Sequence, residues 1–163
     1  MNTERKLLDQ LIRLKEISTL CGLKAEFEAE GSSYRDLVRL RGLSSKAGVK
    51  LFLKIGGVEA LRDIKDAYEI GVDGLIVPMV ESKFDLHKFI QACKSIYKND
   101  VIHKTINMET VAGVEHFDEI LELACGSIDN ITIGRTDLSN SYFDESVVPD
   151  SDHIIELIKR LGE

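Results

Sequence analysis

Acids and bases recur just beyond the apolar runs of this sequence: Glu26, Glu28 and Glu30; Lys54 ahead of Gly56 and Gly57; Pro78 to Glu81; Asn107 and Glu109; Arg135 and Asp137. Two carboxylates delivered by neighbouring strands, Glu109 and Asp137, can hold a hard divalent cation such as Mg²⁺ or Mn²⁺, with water completing the octahedron. Each also has a local use, Glu109 as the cap of a following helix and Asp137 as the cap of a turn in Thr136-Asp137-Leu138-Ser139. Gly134 allows a bend where its strand ends, and backbone N–H groups beyond it offer a seat for a carboxylate or phosphate. Lys54 at a strand end can form a Schiff base if desolvation lowers its pKa. Glu26, Glu28 and Glu30 alternate on one strand face, opposite Phe27 and Ala29, and burial would suit one of them to proton transfer.

The elements that position these groups follow from hydrophobic periodicity. Leu7, Leu8, Leu11, Ile12 and Leu14 predict an amphipathic helix over residues 3–20, ended by Gly22. A strand over Leu23 to Glu30 follows. Ser33 with Asp36 opens a helix that Gly48 stops. Strands are then predicted over Val49 to Ile55, Val72 to Val77, Val101 to Met108 and Ile128 to Ile133. Helices alternate with them over Val58 to Ile70 (ended by Gly71), from a Ser82 cap to Tyr97, and over Val114 to Ala124. Ser139 to Pro149 reads as a loop, and a last helix starts near Ser151. Helices between apolar strands imply right-handed βαβ units and a parallel sheet, so the class is α/β. Length alone favours an open doubly wound sheet over an arc of a (β/α)₈ barrel, which needs about 250 residues.

The chain has 163 residues, with 28 Asp+Glu against 21 Lys+Arg, a formal net charge of -7 and 44% hydrophobic residues. One domain, residues 1–163, is expected: a leading helix over 1–22, the core over 23–142 and a terminal helix over 150–163. The acidic balance and the lack of a basic stripe argue against nucleic acid as a partner. No apolar run approaches the roughly 20 residues that span a bilayer, and the charged start lacks a signal-peptide core, so no membrane association and a cytoplasmic location are expected. Cys21, Cys93 and Cys125 are odd in number and far apart, which fits structural thiols better than a disulfide or metal set. By strand parity Lys104 faces away from Glu109, whereas His103 shares the face of Thr105, Asn107 and Glu109. His87, His116 and His153 read as helix-surface residues, and Arg62, Lys65 and Asp66 as a solvated helix face.

Three segments together resemble the HpcH/HpaI aldolase and citrate lyase β-subunit superfamily: Met108-Glu109-Thr110, Gly134-Arg135-Thr136-Asp137-Leu138-Ser139, and Gly71-Val72-Asp73-Gly74-Leu75-Ile76-Val77-Pro78-Met79-Val80. The resemblance runs from about residue 24 to 142. It implies a modified, here incomplete, TIM-type (β/α) barrel with about five parallel strands alternating with helices. It also implies a carbon–carbon lyase or aldolase working through an enolate, with Glu109 and Asp137 as ligands of Mg²⁺ or Mn²⁺. The ion would chelate a pyruvate-like 2-oxo acid or related carboxylate and stabilise the charge developing on the enolate oxygen.

Departures from the family pattern shape the expectation. Ala29 stands where the aldolase branch carries its acid/base His, in Glu26-Phe27-Glu28-Ala29. Lys54 stands where that branch has the Arg that grips the oxo acid, and it lacks the planar two-point fork of Arg. The expected catalytic residues are therefore Glu28, Lys54 and Arg135, and the expected substrate contacts are Lys54, Gly134, Arg135 and Thr136. The matched segment covers only the second to sixth strands of the barrel, and bare strand edges make a homo-oligomer the expected state. The alternative reading is a non-catalytic barrel module that binds metal or anion, or assembles with a partner chain.

Overall fold

The computed structural model describes residues 2–162. Five parallel strands form one sheet in the order β1 (Gly22–Glu26), β2 (Lys50–Lys54), β3 (Gly74–Val77), β4 (His103–Met108) and β5 (Asn130–Ile133). Each strand pairs with its neighbours in sequence, so the order never reverses. A doubly wound sheet would reverse at the crevice where its ligand binds. The monotonic order is that of an arc of a (β/α) barrel.

Between the strands lie α2 (Tyr34–Ala47), α3 (Leu61–Ile70), α4 (Lys83–Tyr97), and the pair α5 (Val111–Glu115) and α6 (Phe117–Ala124), with α1 (Asn2–Ile17) before them. α7 (Arg135–Asn140) and α8 (Asp152–Leu161) follow β5. Register fixes the two faces of the sheet. Ala25, Leu53 and Leu75 pair laterally, as do Val77 and Ile106, and these side chains are buried. With Leu37, Ile64, Leu86, Phe89 and Ile120 from the helices they form the main core. The opposite, inner face carries Lys24 and Glu26, Phe52 and Lys54, Gly74 and Ile76, then His103, Thr105 and Asn107. Lys104 falls on the helix side of β4, as parity required.

The inner face is shaped by one ring. Phe52 leaves no room for a Cβ at Gly22, where one would meet the ring at 2.8 Å, or at Gly74, where it would meet it at 2.4 Å. His103 packs edge-on against the same ring, centroids 5.4 Å apart.

Local signals act as expected in several places. Ser33 and Asp36 form a reciprocal capping box on α2. Gly48 and Gly71 end α2 and α3 with φ of 64° and 74°, the left-handed geometry that glycine tolerates. Ser82 caps α4. Lys15 of α1 adds a tertiary cap, donating to the carbonyls of Ala47 and Gly48 at the negative end of α2.

Other boundaries differ. α1 stops at Ile17, and Gly22 opens β1 instead of ending the helix, because the Phe52 ring needs a residue without a side chain there. β1 ends at Glu26, not Glu30, since β2 supplies no partner beyond Lys54, whose carbonyl accepts the Phe27 N–H. The chain then turns through Gly31 at φ 60°. The helix expected from Val58 starts at Leu61, and the one expected over Val114 to Ala124 is two pieces meeting at His116. α7 has no counterpart among the expected elements and takes the first two residues of the loop expected over Ser139 to Pro149, the rest of which has no helix or strand; Leu138 of α7 packs in a small cluster with Ile154 and Leu157.

Candidate functional site

At the C-terminal end of β4, Glu109 follows the alternation of Thr105 and Asn107 onto the inner face and is only 3% exposed. Its Oε1 accepts the backbone N–H of Met79 at 3.1 Å, and its Oε2 accepts Nδ2–H of Asn107 at 3.1 Å. Met79 reaches that position by adopting φ 52°, a left-handed conformation costly to a residue with a side chain, at the turn after β3. Glu109 does not cap α5; the Thr110 side chain does, accepting from the Gly113 N–H. No ion pair reaches Glu109 among the described residues, which leaves a buried carboxylate balanced by dipoles alone.

Gly134 lies directly against this carboxylate. A Cβ there would stand 2.5 Å from Glu109 Oε2 and 2.8 Å from Glu109 Cβ. Its φ of −86° and ψ of 90° are open to any residue, so the glycine is required by contact and not by a bend. The Gly134 N–H donates to the Met108 carbonyl, and α7 starts at the next residue. Asp137 sits in the first turn of α7, half-buried, and its carboxylate accepts no hydrogen bond among the described residues. Both local uses foreseen for the two acids, a helix cap and a turn cap, are therefore unfilled.

The pair suits a hard divalent cation chemically. Both donors are carboxylates, and among the described residues one is buried without a counter-charge and the other accepts no hydrogen bond. Among the described residues no group of three or more His, Cys, Asp or Glu gathers to hold a metal.

A cavity of about 190 Å³ opens at the ends of β1, β2 and β3, lined by Glu26, Glu28, Ala29, Lys54, Ile55, Gly56, Pro78 and Met79. Lys54 and Glu26 pair across the strands with Nζ 3.7 Å from Oε2, and Lys24 holds the other carboxylate oxygen. Burial pushes the Glu26 carboxyl up, but the two lysines outweigh it and hold it below the ordinary glutamate range. Glu26 is therefore an ionised counter-ion, not the proton carrier that burial alone would make. Glu30 is turned back to accept the Glu26 N–H. Glu28 is exposed, and its carboxylate lies 3.1 Å from where a Cβ of Gly56 would stand. The three glutamates thus do not share a strand face, because the strand has ended.

Lys54 and Glu28 are brought together, while Met79 both lines their cavity and holds Glu109. Arg135 is half exposed and pairs with Asp150. Thr136 is exposed, its carbonyl accepting from the Ser139 hydroxyl. Neither lines the cavity. Two residues given no role from sequence stand out. Asn107 was legible as the residue two before Glu109 on one strand face, but the left-handed turn at Met79 has no local sequence signal.

A family model described as HpcH/HpaI aldolase/citrate lyase matches residues 34–146. No curated protein matches the chain by sequence. Among solved structures, an HpcH/HpaI aldolase from Desulfitobacterium hafniense DCB-2 is similar, with a TM-score of 0.77 at 20% identity over 94% of this chain and 67% of that one. Citrate synthase SbnG gives 0.73 at 18% over 95% and 67%. An HpcH/HpaI aldolase/citrate lyase family protein from Burkholderia cenocepacia J2315 gives 0.74 at 14% over 94% and 70%. At such identities the structural likeness establishes the fold.

Proposed function

The chain belongs to the HpcH/HpaI aldolase/citrate lyase family, and from that premise we propose that it is a divalent-metal-dependent carbon–carbon lyase of aldolase type. Its substrate would be a small 2-oxo acid or an acyl-CoA-type compound. The observation that carries this reading is Glu109, a buried carboxylate with no cationic partner among the described residues, pressed against Gly134 at the strand end where this fold places its chemistry. Glu109 and Asp137 would hold Mg²⁺ or Mn²⁺. Such an ion, when bound, supplies Lewis acidity toward the oxygens of a 2-oxo acid.

The remaining steps fall to side chains. Lys54, on the inner face beside the cavity, neutralises the substrate carboxylate as a point charge, and Glu26 holds its ammonium in place. Glu28, exposed at the mouth, moves the proton at the carbon next to the carbonyl. Thr136 offers its backbone N–H to the substrate, Gly134, whose own N–H is bonded to Met108, holds the strand end against Glu109, and Arg135 joins them by exchanging Asp150 for a substrate carboxylate. A homo-oligomer is part of this proposal, since β1 and β5 each have one unpaired edge.

Calorimetric titration of Mn²⁺, with and without pyruvate or oxalate, tests the site in wild type, Glu109→Ala and Asp137→Ala. Binding that the oxo acid strengthens and both variants lose supports the reading; wild type that folds but takes up no Mn²⁺ refutes it. A second reading is favoured by Ala29, which lines the cavity where the resemblance places a His. In that case the chain binds metal and anion without turnover. Exchange of pyruvate methyl protons for deuterium in the presence of Mn²⁺ separates the two, occurring only in an enzyme.

A further inference from the structure

At the opposite end of β4 from Glu109 lies a cavity of about 300 Å³, within the range of small-molecule sites. It is walled by the last turn of α4, the start of β4 and the turn between α6 and β5. Lys94, Lys98 and Lys104 line it together with Tyr97, Asp100 and Ser127, in a chain whose net charge is -7. We propose that this cavity binds a small phosphate-bearing anion.

Three observations carry the proposal. Lys94 and Lys98 are exposed and form no ion pair among the described residues, so their charge is free to face the cavity. The two carboxylates nearby are already engaged. Asp100 accepts the Tyr68 hydroxyl at 3.3 Å, and Asp129 accepts the Lys104 backbone N–H at 2.7 Å while lying 3.9 Å from both Lys104 Nζ and His103 Nδ1. Finally, Tyr97 is 7% exposed and its hydroxyl is buried with no hydrogen-bond partner among the described residues. A buried hydroxyl left unpaired costs free energy, and native structures seldom keep one without a ligand or water to satisfy it. Burial also pushes the phenol far above its ordinary range and keeps it a neutral hydroxyl with a proton to donate.

The ammonium groups of Lys94 and Lys98, with that of Lys104, which also donates to the Ile102 carbonyl at 3.0 Å, and no guanidinium fork, suit the tetrahedral oxygens of phosphate better than a planar carboxylate. The site is remote from Glu109 and Lys54, and none of its residues enters the proposed lyase chemistry.

Amide NMR of the full chain, titrated with inorganic phosphate at constant ionic strength, tests the site. Saturable shifts are expected at Lys98, Asp100, Gly126 and Ser127. The double substitution K94Q/K98Q, on exposed positions that leave the core intact, should weaken binding by about tenfold or more, the scale of a lost charge-assisted contact. Tyr97→Phe should weaken it several-fold with the rest of the spectrum unchanged. A parallel titration with a simple phosphomonoester distinguishes sources: binding at least as tight marks a phosphorylated metabolite as the occupant, and exclusion marks free phosphate. The proposal is overturned if phosphate gives no saturable shift at these amides, or if K94Q/K98Q binds as wild type does.

Discussion

Adding one methyl group at Gly134 tests the central geometry more sharply than removing a ligand. In Gly134→Ala the new Cβ would stand 2.5 Å from Glu109 Oε2 and 2.8 Å from Glu109 Cβ, closer than real contacts allow. The backbone there, at φ −86° and ψ 90°, accepts alanine without strain, so the whole cost is contact. Glu109 is 3% exposed, and yielding means giving up Met79 N–H or Asn107 Nδ2. Overpacking costs about 1–3 kcal/mol. A lost hydrogen bond to a buried charge adds about 1.5–3 kcal/mol. Since relief of one incurs the other, a net loss of about 2–4 kcal/mol is expected. At a urea slope of about 2 kcal/mol/M the unfolding midpoint falls by about 1–2 M. Gly57→Ala, where a Cβ meets nothing within 4 Å and φ is not positive, is the matched control and should stay within about 0.5 kcal/mol of wild type. Equal midpoints for Gly134→Ala and wild type would refute the claim that Glu109 is clamped. Mn²⁺ affinity should fall with stability in Gly134→Ala and hold in the control.

Four further outcomes follow from the same description. Asn107→Ala strands Glu109 Oε2 without its donor and should cost about 1.5–3 kcal/mol in urea unfolding, together with weaker Mn²⁺ binding. Glu26 has a folded-state pKa below its unfolded one, so its contribution is present above the ordinary glutamate range and lost as pH falls through the lowered value. Wild type should therefore lose more stability than Glu26→Gln over that acid window, read as urea midpoint against pH. Lys54→Met should raise the KM for a 2-oxo acid more than it lowers kcat, seen in initial-rate kinetics. Of the three cysteines, Cys21 and Cys125 are exposed, whereas burial pushes Cys93 up to about 12. A thiol-reactive chromogenic disulfide should label two equivalents quickly in the native protein and the third only on unfolding.

What could be read from the sequence was what neighbouring residues decide between themselves. The Ser33–Asp36 box and the glycine caps at Gly48 and Gly71 are local hydrogen-bonding events, and the structure contains them. Parity along β4 put Glu109 and Asn107 on one face and Lys104 on the other, because a strand's alternation needs no knowledge of its partners. Where a distant partner decides, the reading failed. Gly22 looked like a helix stop and is a place for the Phe52 ring; Glu28 and Glu30 continued a pattern that β2 had ceased to support. Gly134 was noticed for the right contact region and the wrong reason, a bend instead of a close approach. Salt-bridge geometry was equally out of reach, so Arg135 was expected to face substrate and its pairing with Asp150 was not foreseen.

Phe52 carries a consequence for how this sequence can change. One ring occupies volume that three adjacent strands would otherwise fill with three separate side chains, so Gly22, Phe52 and Gly74 hold a single shared quantity of space. Neither glycine can grow while the ring is present, and the ring cannot shrink without leaving a void. Substitutions here are thus ordered. A smaller residue at position 52 must come first, at the cost of a cavity, and only then does a side chain at 74 become an advantage, whereas at 22 a Cβ would still stand 2.9 Å from the Lys50 carbonyl oxygen. The same valine at 74 is harmful in one background and restorative in the other, and homologous chains should be found on either side of that divide, rarely between.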